Sequence, residues 1–172
     1  MNKYFETTVR YKRQNEHGKH VPVTEQYLIE ACSFIEAETR ITQVLEPYMT
    51  EDSHFIVKAI KRSNVEAVVA DAFNLESEVQ SNVYKMTGTN KNLSESADRY
   101  YRVKVNFITI DEKTDKEKKD STYYLVAGNA TRTAENLITQ YLHDTVADYE
   151  IADITETKIL EVYIVKDSGN EH

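Results

Sequence analysis

Two stretches of this chain run through the same succession of residue patterns, and any fold for it has to place that succession twice. FETTVRY (5–11) and YRVKVNF (101–107) both carry apolar or aromatic groups at alternate positions, which sets Phe5 on Tyr101, Val9 on Val105 and Tyr11 on Phe107 at an offset of 96. EQYLIEAC (25–32) and TYYLVAGN (122–129) follow at an offset of 97, with Tyr27-Leu28 on Tyr124-Leu125. That register continues through Ala37-Glu38 on Ala134-Glu135 and through ITQxL, which occurs in both stretches from Ile41 and from Ile138. HFIVKAIKRSNVEAVV (54–69) then lies over DYEIADITETKILEVY (148–163) at an offset of 94. Loop-sized gaps are enough to reconcile the offsets.

The period of each segment names its element. Alternation over 5–11 and 101–107 is the two-residue period of a half-buried strand, whereas Phe34, Ala37, Ile41, Leu45 and Tyr48 recur at the three- and four-residue steps of a helix face. Ser33 followed by Glu36 forms a capping box at the first helix, and Pro47 limits its extension. In the second stretch Asn129 or Thr131 is the expected cap, after a break at Gly128, and the face is Ala134, Leu137, Ile138, Tyr141 and Leu142. Turn residues at His17-Gly18 and the charged run Asp111 to Asp120 make strands one and two of each stretch hairpin partners.

The expected architecture is α+β: a tandem β-β-α-β-β unit, each copy an antiparallel sheet with one packed helix, the two related by a pseudo-twofold axis that pools a core neither builds alone. The repeats are expected at 1–70 and 99–166. Between them, 71–98 reads as an irregular insert, weakly helical in DAFNLESEVQSNVYKM and a mobile loop near 87–98, and 167–172 as a tail.

Composition narrows the class. Hydrophobic residues at 40 % and charged residues at 29 % support a packed globular core. No apolar run approaches the roughly 18 residues of a membrane span, and MNKYFETTVRYKR leads directly into strand character. Cys32 alone cannot form an internal disulfide, so it reads as a small core residue in a cytoplasmic protein. The net charge of −8 is uneven, −1 over 1–70, −2 over 71–100 and −5 over 101–172. An acidic second half argues against whole-surface attraction to phosphate backbones and leaves only a local basic patch in the first.

The usual local signatures of catalysis, glycine-rich phosphate loops, paired cysteines, HExxH and GxSxG, are missing, so no enzyme, cofactor or metal is expected. His17 and His20 beside Glu16 lack further ligands and read as a polar turn. The mixed-charge run Lys113 to Asp120 reads as a solvated tip, and His143-Asp144 as a surface or capping pair. One asymmetry stands out. Arg10, Lys12, Arg13, Lys58, Lys61 and Arg62 are basic where the second stretch has Asn106, Ile108, Thr109, Ala152, Thr155 and Glu156. Such a cluster fits anion or nucleic-acid binding, with arginines gripping phosphate oxygens, against the competing reading of ordinary surface scatter. Tyr4, Phe5, Tyr11, Tyr100 and Tyr101 on the leading strands would add a stacking platform where they face outward.

YFETTVRYKR, YLIEACSFIEAETRI and IKRSN in the first stretch, with VKVNFITIDEKTDKEKK, YLVAGNATRTAE and ADYEIADITETKILEV in the second, resemble the uncharacterised-domain family numbered 4494 of phages and mobile elements of gut Bacteroidales. The resemblance covers most of the chain, with an insert at 71–98 longer than the family leads one to expect, and implies a setting in a bacterial host cytoplasm, with no activity to carry over. A second likeness is architectural. Read from residue 54, two strands, an insert, two strands and a helix are similar to the Whirly or PUR-type single-strand binders. The expected function is recognition of single-stranded nucleic acid or a nucleotide by the basic face of the first repeat. The alternative is a phage accessory protein that binds and modulates a host protein, and duplicated folds of this kind often form homodimers.

Overall fold

The computed structural model describes residues 3–70, 72–80, 82–89 and 99–166, with backbone alone at 72–80 and 87–89. Its strands are β1 (Lys3–Gln14), β2 (His20–Ala31), β3 (Ile56–Arg62), β4 (Val65–Val69), β5 (Ala72–Gln80), β6 (Val83–Thr89), β7 (Arg99–Ile110), β8 (Glu117–Gly128), β9 (Asp148–Glu156) and β10 (Ile159–Val165). Helix α1 (Phe34–Leu45) follows β2, helix α2 (Thr131–Tyr141) follows β8, and 3-10 turns occupy Glu46–Tyr48 and Glu51–Ser53. The protein is α+β, with two mixed sheets ordered β3-β1-β2-β10-β6-β5 and β4-β8-β7-β9. It divides into two compact units, the first holding β1, β2, α1, β3, β10 and most of β6, the second β4, β7, β8, α2 and β9.

In the first unit β1 and β2 form a hairpin from Lys3 opposite Ala31 to Gln14 opposite His20. The Asn15 side chain closes its turn by accepting from the backbone N–H of His17 and of Lys19, both at 2.9 Å, while Gly18 supplies φ +76°. Alternation sends Phe5 and Val9 of β1 inward with Tyr27 and Ile29 of β2, against Ala37, Ile41, Val44 and Leu45 of α1. Burying each large aliphatic side chain there contributes about 1.5–3 kcal/mol. Thr7, polar and fully buried in this layer, gives its hydroxyl proton to the Tyr27 carbonyl at 3.1 Å and so leaves no unmet group. Ser33 caps α1 by accepting from Glu36 N at 3.1 Å, and the Glu36 carboxylate reaches back to Cys32 N rather than to the cap residue itself. β3 lines the outer edge of β1 with a bulge at Thr8/Val9.

The second unit repeats the order of operations with different residues. β7 and β8 pair from Arg99 opposite Gly128 to Ile110 opposite Glu117, and Val103, Val105, Tyr124 and Val126 pack with Ala134, Leu137, Ile138 and Leu142. β9 covers the edge of β7 with a bulge at Lys104/Val105.

Several expectations change here. The sheets are mixed rather than antiparallel. β10, from the second sequence block, runs parallel to β2, and β4, from the first, runs parallel to β8. Burial explains the placement: Val162 and Tyr163 are adjacent in sequence and both buried, which suits an interior strand with two covered faces, whereas one-sided β3 suits an edge. The segment expected to be weakly helical forms β5 and β6, and β6 pairs antiparallel with β10. Phe73, Leu75 and Val79 alternate with polar residues, and the open edge of β10 rewards the two-residue period over the helical one. β6 reaches Thr89, whereas the rest of the expected loop (90–98) and the tail 167–172 lie outside the described residues. The cap of α2 is Ala130, with no side-chain bond; Asn129 instead accepts from the Thr133 hydroxyl at 2.7 Å. Cys32 is exposed, because the chain turns out of the sheet there to enter α1.

Candidate functional site

A two-residue period dictates where the basic residues of the first unit point. Arg10 lies opposite Ile56 and Lys61 opposite Glu6, so Arg10, Lys12 and Lys61 share the face away from α1. Arg62 lies opposite Phe5 and Arg13 is in step with Val9 and Tyr11, which assigns both to the α1 side. These two are separated by most of β1, about 25 Å at 3.3 Å per residue. Lys58 stands in the β3 bulge. All six are exposed, and they do not gather on one face. Arg10 and Lys12 line a shallow concavity of about 250 Å³ with His54 and Ile56; Lys12 and Arg13 also line something larger.

That larger feature follows from a mismatch of lengths. Strands of 12 residues extend about 40 Å, whereas the 12-residue helix laid on them covers about 18 Å. Pro47 turns the chain into a 3-10 conformation directly after α1, and the loop that follows roofs the uncovered sheet instead of filling it. A cleft of about 1230 Å³ results, with residues of the first unit for its walls. The roof is braced by a reciprocal Thr50–Ser53 capping box, and His54 after it takes φ +48°.

The floor is polar and internally bonded. Tyr11 donates its hydroxyl to Glu25 Oε1 at 2.8 Å, and Tyr27 donates to Glu25 Oε2 at 2.5 Å. One strand over, Tyr163 donates to Glu161 Oε2, and Glu161 Oε1 pairs with Lys85 Nζ of β6 at 2.9 Å. The register sets this order, because Glu161 lies opposite Tyr27, and Tyr163 lies opposite both Ile29 and Lys85. Tyr27 and Tyr163 rings stand 6.1 Å apart. Burial, then the hydrogen bond to the neighbouring carboxylate, pushes the hydroxyls of Tyr27 and Tyr163 far above the ordinary phenol range, and the same causes raise Tyr11. All three therefore stay protonated as donors, and the carboxylates act as acceptors. Arg13, Lys12 and His20 stand at the sheet-end of the cleft.

The corresponding register positions of the second unit are plain. Thr122 lies opposite Val105 where Glu25 lies opposite Val9; Ala67 lies opposite Tyr124 where Glu161 lies opposite Tyr27; Val69 replaces Tyr163. Phe107 stands in place of Tyr11 and packs on Tyr149 with ring centroids 6.3 Å apart. Glu25, Glu161, Tyr163 and Lys85 were not singled out by sequence reasoning, although comparing the buried faces of the two stretches, as was done for the basic residues, marks the first three. Lys85 comes from the insert and has no counterpart to compare.

Among the described residues no group of three or more His, Cys, Asp or Glu side chains gathers to hold a metal ion, and no helix is long and apolar enough to cross a membrane. A family model described as "Domain of unknown function (DUF4494)" matches residues 3–165. No curated protein and no solved structure matches the chain.

Proposed function

The chain belongs to the DUF4494 family, whose description assigns it no function, and on the geometry of its cleft we propose that it is a non-enzymatic module binding a nucleotide, free or as the end of a single strand. The observation that carries this reading is the 1230 Å³ cleft, floored by tyrosines and carboxylates and edged by Lys12, Arg13 and His20. Cations at one end suit a phosphate, the accessible rings of Tyr11 and Tyr48 suit a base, and fixed carboxylate acceptors suit base or sugar donors. Tyrosines that hold their protons tightly support a binding role over a catalytic one.

The second unit acts as the structural partner, and the whole chain reads as a duplication. Support comes from register: the bulges at Thr8/Val9 and Lys104/Val105 are 96 residues apart, and the breaks at Val65/Ala67 and Ile159/Glu161 are 94 apart. In the bacterial cytoplasm implied by the family resemblance, a phage or mobile-element protein of this kind would meet free nucleotides and exposed strand ends.

Titration with mononucleotides and with a labelled single-stranded oligonucleotide tests the reading, at low and moderate salt. Binding is expected to weaken with salt and to be lost in Lys12→Ala/Arg13→Ala, while Arg10→Ala/Arg62→Ala retains it. Loss of binding in the second variant alone moves the site out of the cleft and overturns the proposal.

A further inference from the structure

Glu25 differs from every other acid in the cleft in what surrounds it. Glu161 is neutralised by Lys85, and Asp52 stands exposed in the roof. Glu25 is half-buried, and its hydrogen-bond partners are two neutral hydroxyls, one on each oxygen. An ionised carboxylate offers about four acceptor positions, two per oxygen. Tyr11 and Tyr27 take one on each, which leaves one acceptor position on each oxygen of a carboxylate held in place from both sides.

A ligand group that completes this arrangement must present two adjacent N–H donors and no acceptor between them. Among the nucleobases, guanine does so, through N1–H and its exocyclic amino group. Adenine and cytosine pair an amino donor with a ring-nitrogen acceptor, whose lone pair would face a carboxylate oxygen. Uracil flanks a single N–H with two carbonyls. A guanidinium group also offers paired donors, but the rest of a guanidinium ligand would lie towards Lys12, Arg13 and His20, where an anion is favoured.

We infer that Glu25 reads guanine, and that the cleft is selective for guanine nucleotides, with the base against the Tyr11–Glu25–Tyr27 group and the phosphate towards Arg13. This rests on the nucleotide reading above and specifies the base. A bidentate pair of this kind discriminates by roughly tenfold to hundredfold against a base that cannot form it. Sites whose buried polar groups are left unmet reject the wrong ligand.

Calorimetric titration of the full chain with GMP, AMP, CMP and UMP tests the inference. GMP is expected to bind roughly tenfold or more tightly than the others. Glu25→Gln, which exchanges one acceptor for a donor, should abolish that preference by bringing GMP affinity down to the level of the other three. Tyr11→Phe keeps the carboxylate but loosens it, so GMP should weaken by less and remain first; it also serves if Glu25→Gln fails to fold, as judged by its thermal melt. Equal binding of all four nucleotides overturns the guanine inference and leaves the nucleotide site standing. Binding of none overturns both. Argininamide binding in place of GMP assigns the site to a guanidinium ligand and likewise overturns both.

Discussion

The two units solve one packing problem with different chemistry. Each lays a helix of 11 or 12 residues on a pair of 12-residue strands and leaves sheet surface beyond the helix end. The second unit covers that surface with apolar side chains, Phe107 and Tyr149 among them. The first keeps it open and spends it on Tyr11, Glu25, Tyr27, Glu161, Tyr163 and Lys85. Half-buried carboxylates and the phenols bonded to them gain little for stability over apolar residues of similar shape, since hydrogen bonds to water are exchanged for internal ones. A polar network present in one unit and absent from the other is therefore not accounted for by folding alone, which is what the binding proposal rests on.

The largest expected effects break the comparison if they differ between units. Ile41 and Ile138 are both fully buried on the inner faces of α1 and α2, and Ile41→Ala and Ile138→Ala should each cost about 2–5 kcal/mol in urea unfolding. A cost confined to one unit would deny them equivalent cores. A smaller effect sharpens the contrast: Glu161→Ala removes the carboxylate that Lys85 and Tyr163 share and should lower stability by about 1–3 kcal/mol. Exchanging the whole network for the residues of the second unit, Tyr11→Phe with Glu25→Thr, Glu161→Ala and Tyr163→Val, should recover much of that loss while nucleotide binding disappears.

The pH response is more modest. The hydroxyls of Tyr27 and Tyr163 have raised values in the folded protein against 10.0 for the free group. Their contribution is complete below about pH 10 and declines as the pH rises above it, because the unfolded chain ionises first. Urea midpoints should fall above pH 10, and Tyr27→Phe/Tyr163→Phe should flatten that fall. Least of all is expected from Lys119 and Glu150, an exposed pair 2.8 Å apart in the second unit, where Glu150→Gln should leave the midpoint unchanged.

Outside the insert, where β5 and β6 were read as weak helix and loop, the elements were legible in the chain. The alternation of 5–11 and 101–107 marks β1 and β7, and the three- and four-residue steps around Ile41 and Ile138 mark α1 and α2. Partners were less so, because a strand's period states which side is buried and not which neighbour it joins. β4 and β10 therefore read as strands without revealing their parallel pairing to β8 and β2. Tyr48 fits the helical spacing of α1, yet Pro47 ends the helix before it and leaves its side chain 75 % exposed over the cleft. The basic residues were visible, but alternation and the β3 bulge divide them, and two of the six reach the cleft. Glu25 was hidden for a different reason: it precedes Tyr27-Leu28-Ile29, where both faces are buried and polar-out alternation breaks down.

The central claim, that the first unit binds and the second supports, is met most directly by NMR of the protein with labelled tyrosine rings during addition of GMP. The account predicts shifts at Tyr11, Tyr27 and Tyr163 with Tyr124 and Tyr149 unmoved. Shifts centred on Tyr124 and Tyr149, or none at saturating nucleotide, would contradict it.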